Sequence, residues 1–170
     1  MRPFLDDRRL LHGPWQAFER DVARLLTHAG FDDVRVVDGS GDQGADVVGV
    51  KNGEIWVVQC EHTTTAPPTK EAVQEVVDAG TYYGANRMIL ATSRAIGGGV
   101  ATEIKRYRRI GINVELLDPA RLMHLVKEVP EYAKSRRDLR PYQQDAVGKF
   151  REGLTDTGRA QVVLATGLGK

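Results

Sequence analysis

Three oxygen-bearing side chains, Asp46, Gln59 and Glu61, carry the most chemistry in the first half of the chain. They border two valine-rich runs, residues 46–51 and 54–60, with Asn52-Gly53 between them. Asn-Gly flanked by β-formers specifies a two-residue hairpin, because both residues tolerate the positive φ that a type I′ turn demands. With Asn52 and Gly53 as the loop, Lys51 faces Glu54. Each step away from the turn pairs the next two residues, so Asp46 falls opposite Gln59. Opposed side chains of an antiparallel pair lie roughly 5 Å apart on one face. Glu61, two residues past Gln59, shares that face. The rest of the face is Val48, Val50, Ile55 and Val57, which belong in a core.

Oxygen ligands at the rim of an apolar sheet suit a hard divalent cation. Magnesium takes oxygen ligands, keeps several waters, and uses one or two carboxylates together with substrate phosphates. Mg2+ (or Mn2+) held there activates water and neutralises charge on a phosphodiester. Polar strand ends meeting solvent would have the same composition, and the residues alone do not choose between the two.

The elements around this hairpin follow from periodicity. Residues 14–29 form a helix, with Pro14 suited to its start and Gly30 to its stop. Trp15, Phe18, Val22, Leu25, Leu26 and Ala29 make one apolar face, with Glu19 beside it. A short strand over 34–38 and a glycine-rich turn over 39–44 lead into the hairpin. Thr69 caps a helix running to about Tyr83 and ended by Gly84. A strand over 87–92, a helix over 97–109 with a basic outer side, a strand over 112–117 and a short helix over 119–128 follow. The fold class is therefore α/β, a mixed sheet with helices on both faces. Residues 129–138 are charged and lack apolar rhythm, which marks a linker. A second unit opens with a helix over 139–152 and a strand over 160–164.

The chain has 170 residues, 41% hydrophobic and 28% charged, with a net charge of +1. That is enough to bury a core, and it is no polycation, so nucleic-acid contact must come from local patches. Cys60 is the single cysteine. One thiol cannot form an internal disulfide, so a reducing compartment is expected, and the cytoplasm with it. The N-terminus carries no apolar signal segment, and no apolar run is long enough to cross a bilayer.

Several motifs combine into a resemblance. Phe18-Glu19, Gly41-Asp42-Gln43-Gly44-Ala45-Asp46 and Trp56-Val57-Val58-Gln59-Cys60-Glu61 resemble the Mrr-like branch of the PD-(D/E)XK nucleases. That branch shows Gly-x-Asp-Gly-Gly-x-Asp, then an apolar strand ending in Gln-Cys-Lys. Further matches are the Ala72-Val73-Gln74-Glu75 helix, Gly84-Ala85 before the strand 87–92, and residues 112–118 before a short helix. The resemblance spans about Trp15 to Val126, and implies a restriction-endonuclease-like fold over residues 1–128. It implies that Asp46 binds metal, that Gln59 stands at the Glu/Gln of the (D/E)XK element, that the Cys60 backbone carbonyl is a further ligand, and that Glu19 helps bind metal. Glu61 departs from the family's lysine, which positions the attacking water; an acid there occurs in some active restriction enzymes and in decayed relatives. Lys70 could supply a migrated cation and His62 a base, against plainer readings as an exposed helix-start lysine and a loop histidine.

The C-terminal residues carry a second site. Ala165-Thr166-Gly167-Leu168-Gly169-Lys170 follows the apolar run 162–164, the strand-to-loop context of a phosphate loop. Glycines let backbone amides curl around phosphate, and the lysine reaches the terminal phosphates. Leu164 stands where the general pattern has its first glycine. Leu139-Arg140-Pro141-Tyr142-Gln143 resembles the opening of superfamily 2 helicases and of restriction-system motor subunits. The resemblance implies ATP binding by Gln143, Thr166, Gly167, Gly169 and Lys170, with residues 139–170 the truncated start of a RecA-like lobe.

Two basic clusters, Lys105-Arg106-Tyr107-Arg108-Arg109 and Lys134-Ser135-Arg136-Arg137, are ordinary solvated faces or phosphate contacts. The expected function is a metal-dependent DNA endonuclease domain working on double-stranded DNA with an ATP-driven translocase, in restriction of foreign DNA. Pairing into a homodimer would let it cut both strands. The alternatives are a nuclease fold that has lost its chemistry and binds DNA or a partner for the helicase, or a DNA-repair accessory domain.

Overall fold

The computed structural model describes residues 5, 7–37, 44–129 and 141–157. The chain divides into two compact units, residues 1–134 and 135–170. The first contains helices α1 (Asp7–His12), α2 (Trp15–His28), α3 (Glu71–Tyr82), α4 (Gly98–Arg109) and α5 (Pro119–Glu128). Its strands are β1 (Asp32–Val36), β2 (Val47–Lys51), β3 (Glu54–Glu61), β4 (Arg87–Thr92) and β5 (Val114–Leu117), in one sheet of that order. β1, β2 and β3 are antiparallel neighbours; β3, β4 and β5 run parallel.

Both faces of the sheet are covered, which requires two apolar sets on alternating strand positions. Val47, Val58, Cys60, Ile89 and Leu117 pack with Phe18, Val22, Leu25 and Leu26 of α2, and with Leu122 and Val126 of α5. Val48, Val57, Leu90 and Val114 pack with Val73, Val76 and Val77 of α3, and with Val100, Ile104 and Tyr107 of α4. Asp118 caps α5 by accepting from the Arg121 amide at 2.9 Å, and Pro119 holds its first position.

The structure departs from the periodicity in several places. Trp15, expected on the apolar face of α2, is 56% exposed. It is the first residue of the helix, a full turn ahead of the buried Phe18 and Val22. Thr69 does not cap α3. Lys70 is already helical, so no extended residue precedes the helix to aim a hydroxyl at its amides. The Thr69 hydroxyl bonds the Glu71 carboxylate instead. β1 begins at Asp32, ahead of its β-formers, because the ladder with Val50 extends it past a bulge at Asp33, whose φ is 48°. α1 was not legible at all. It is six residues long and is held by Leu10, fully buried, and by the fork of Arg9 on buried Asp21 at 2.7 and 3.0 Å.

In the second unit, α6 spans Pro141–Thr157, five residues past the expected end at 152. The expected strand 160–164, the phosphate-loop residues Thr166, Gly167, Gly169 and Lys170, the linker 130–138 with its basic cluster, and the turn at 38–43 all lie outside the described residues, as does the Gln143 side chain. Among the described residues no helix is long and apolar enough to cross a membrane.

Candidate active site

The hairpin forms in the register that Asn52-Gly53 demands. Lys51 pairs Glu54, Val50 pairs Ile55, and so on to Val47 with Val58. Asn52 has φ 53° and Gly53 φ 79°, the two positive values of a type I′ turn. A Cβ at Gly53 would meet nothing, so the cost of Gly53→Ala is torsional alone. It should destabilise the unit by about 1–2 kcal/mol, read from urea unfolding.

Beyond Val47 the ladder ends in side chains. The Asp46 amide donates to the Val58 carbonyl at 2.9 Å, and Asp46 Oδ2 accepts the Cys60 amide at 2.6 Å. Asp46 is thus fastened across the open end of the hairpin, opposite Gln59 and Cys60. The Glu61 carbonyl faces β4, where it accepts from the Ser93 amide at 3.0 Å. By strand alternation the Cys60 carbonyl faces β2, on the side where its own amide meets Asp46. The Cys60 thiol is buried among α2 contacts. Burial, then Asp46, Glu19 and Glu61, push its pKa far up, so it stays a neutral thiol.

Glu61 is half-buried. Its pKa is raised, first by burial and then by the charge of Glu75 on α3, and is opposed by a hydrogen bond from Gln59. Gln59 Oε1 is left buried with no partner. Glu75 is a neighbour that sequence reasoning did not single out. Its helix, Ala72-Val73-Gln74-Glu75, was read only as a family match; in the structure Gly44, at φ 83°, lays the chain leading to Asp46 onto α3. A Cβ there would stand 3.3 Å from the Glu75 carbonyl oxygen and 3.4 Å from its Cβ.

Because the fold raises this carboxyl's proton affinity, its contribution to stability is full below the ordinary carboxylate range. It is lost as pH rises through the raised pKa. Glu61→Gln cannot ionise. It should be the more stable protein at pH 7, by less than about 1 kcal/mol for a half-exposed group. The difference should vanish toward pH 3, as urea midpoints at the two pH values would show.

The other expected site residues divide. Glu19 lies close enough to Cys60 for its charge to act on the thiol. His62 stacks on Phe18 with centroids 5.5 Å apart, and a hydrogen bond joins it to the Gly13 backbone. Its Nδ1 is buried without a partner, and burial lowers its pKa, so the ring is neutral. Lys70 is exposed at the start of α3, while the charged neighbour of Glu61 is Glu75.

Chain direction gathers the rest. β3, β4 and β5 end at Glu61, Thr92 and Leu117, and the helices that follow them begin at Glu71, Gly98 and Pro119. β1 runs parallel to β3, so α2, which precedes it, also starts at this end. Four helix N-termini therefore face the carboxyl ends of the strands, a favourable place for anions. Arg106, Arg108 and Arg109 occupy the last turn of α4. A helix of that length puts them about 18 Å away along its axis, at the opposite end of the sheet.

The donor set fits a hard cation. Asp46 and Glu61 offer carboxylates, Gln59 offers an orphaned amide oxygen, and Cys60 a backbone carbonyl. Among the described residues no three His, Cys, Asp or Glu side chains close a cage by themselves. Magnesium does not need one, since it fills its shell with waters and substrate phosphates.

Several solved structures are similar to this chain. AspBHI, a DNA modification-dependent restriction endonuclease, matches at a TM-score of 0.54 and 12% identity, over 71% of this chain and 33% of its own. Can2 from Sulfobacillus thermosulfidooxidans, solved with cyclic tetra-adenylate, gives 0.47 at 20% identity, over 68% and 36%. A protein of unknown function, AF1548, gives 0.49 at 18% identity, over 81% and 77%. The chain thus spans about a third of the length of AspBHI and Can2. No curated protein matches the sequence. The model of the Mrr-type catalytic domain, described as restriction endonuclease, matches residues 10–126. With a five-stranded mixed sheet of the restriction-endonuclease-like fold and that match over most of its length, the chain belongs to the Mrr-type restriction endonuclease family.

Proposed function

We propose that this chain is a Mg2+-dependent DNA endonuclease domain, and that residues 139–170 begin an ATP-driven translocase that works with it. The observation that carries the nuclease reading is the seating of Asp46 against Gln59 and Cys60, with the Gln59 oxygen buried and unpartnered beside Glu61. Asp46, Glu61, Gln59 and the Cys60 carbonyl would hold the cation, with Glu19 approaching from α2. The bound ion supplies positive charge opposite the phosphodiester and makes water a better nucleophile.

The protein's own groups do the remaining work. Gln59 orients Glu61 by donating to it. Without a cation, burial and Glu75 raise the proton affinity of Glu61; holding the cation would favour its ionised form. His62, the residue after Glu61, is the candidate base for the proton that water releases on attacking phosphorus, although its Nδ1 is buried. The P–O bond to the neighbouring sugar breaks, leaving a phosphate on one side and an oxygen on the other that takes a proton from solvent to become a hydroxyl. Glu61 stands where the family has lysine, so the cation and not a side-chain ammonium would balance the charge on phosphorus.

The motor reading is supported by Leu139-Arg140-Pro141-Tyr142-Gln143 and by Gly167, Gly169 and Lys170 after an apolar run. Restriction of foreign DNA is the setting that joins the two activities, and a homodimer would cut both strands. Supercoiled plasmid incubated with the chain and Mg2+ or Mn2+ should relax or linearise, and a chelator should stop it. Failure to nick any DNA with either metal, with binding intact, would instead favour a docking module. The substitution of Glu61 for lysine is what motivates that second reading.

A further inference from the structure

We infer that the exposed indole of Trp15 is a stacking platform for an unpaired nucleobase beside the phosphodiester that is cut; the inference rests on the nuclease reading of the site. Trp15 opens α2, the helix whose start lies at the carboxyl end of β3. It precedes Glu19 by four residues, so the two share one helical face, with Trp15 about 6 Å further out along the axis. At 3.4 Å per nucleotide along a strand, a step of that length is roughly two nucleotides.

The helix end is firmly placed. His62, next to Glu61, bonds the Gly13 backbone just before α2 and stacks on Phe18 in its first turn. Trp15 nonetheless remains 56% exposed, in a unit that buries Phe18, Val22, Leu25 and Leu26 on the same helix. A large rigid aromatic left bare on the helix that carries Glu19 suits a flat partner.

The occupant is defined by chemistry. Stacking on an aromatic face tolerates any base. A paired base in duplex DNA shows only its edges in the grooves, its faces being covered by neighbours. Trp15 therefore selects DNA with an unstacked nucleotide next to the cut: a gap, a mismatch, a frayed end or an extruded base.

The test compares a fully paired oligonucleotide with one carrying a short single-stranded gap, titrated in EDTA so that nothing is cut. Tryptophan fluorescence of the wild-type chain should be quenched more by the gapped DNA. The excess quench should disappear in Trp15→Ala. That variant should bind gapped DNA about tenfold more weakly and paired DNA unchanged, while Trp15→Phe should recover most of the loss. Thermal melts should match the wild type, since the side chain is exposed. Equal losses on both DNAs, no loss on either, or a change of oligomeric state in place of DNA affinity would overturn the inference. Absent cleavage in Mg2+ with the quench preserved would overturn the nuclease reading and leave the stacking standing. Cleavage without the quench would do the reverse.

Discussion

Asp46→Asn should lower the rate of plasmid cleavage by about a thousandfold while leaving the fold intact. The substitution isolates charge from shape. In the native protein Oδ2 accepts the Cys60 amide at 2.6 Å, and an asparagine oxygen at the same place can still do so. What disappears is the negative charge that would hold a divalent cation against the phosphodiester. Losing one electrostatic partner of a transition state costs on the order of 10²–10³ in rate, and a ligand of the cation belongs at the upper end. Asp46→Ala removes both functions. It should abolish cleavage and also leave the Cys60 amide unpaired, costing about 1–3 kcal/mol of stability. Nicking rates at saturating Mg2+, set beside urea unfolding of both variants, separate these effects. An Asn variant that cuts at the wild-type rate would remove Asp46 from the site.

Phe18→Ala should destabilise the first unit by about 3–5 kcal/mol, the range for deleting a fully enclosed aromatic side chain. Phe18 has no exposed surface, and lies in the layer formed by α1, α2, α5 and one face of the sheet. It also supports the His62 ring, which in turn bonds the Gly13 backbone ahead of α2. The loss is therefore expected to loosen the start of α2, where Glu19 and Trp15 are carried. Phe18→Leu, which keeps most of the volume, should cost under about 1.5 kcal/mol. Urea midpoints give both numbers. A Phe18→Ala loss below 1 kcal/mol would mean that the layer closes over the cavity.

Some of the site was legible because it is local. Asn52 and Gly53 impose positive φ at two adjacent positions, and from there antiparallel pairing carries Asp46 to Gln59 without any distant contact. Alternation along β3 then decides that Gln59 and Glu61 share a face. The termini of α2, α4 and α5 and the whole of β4 were equally readable, since glycines, prolines and apolar spacing act within a few residues.

Other features needed the chain to come together. The approach of Glu75 to Glu61 depends on α3 crossing the sheet at one depth, which Gly44 permits and no spacing encodes. The arginines at the end of α4, readable in the sequence only as a solvated face or as phosphate contacts, lie at the far end of the sheet, because the helix returns antiparallel to the strand before it. Trp15 fits the apolar stripe of α2 and is bare, and α1 has too few residues to show a period yet is pinned by Arg9 and Asp21. Amino-acid order alone determined which residues are apolar, where the backbone must turn, and which acids sit together at a strand end, for these are properties of short segments. Tertiary structure decided which apolar residues are covered and which charges meet, because burial and electrostatics depend on distances between segments that sequence spacing does not contain.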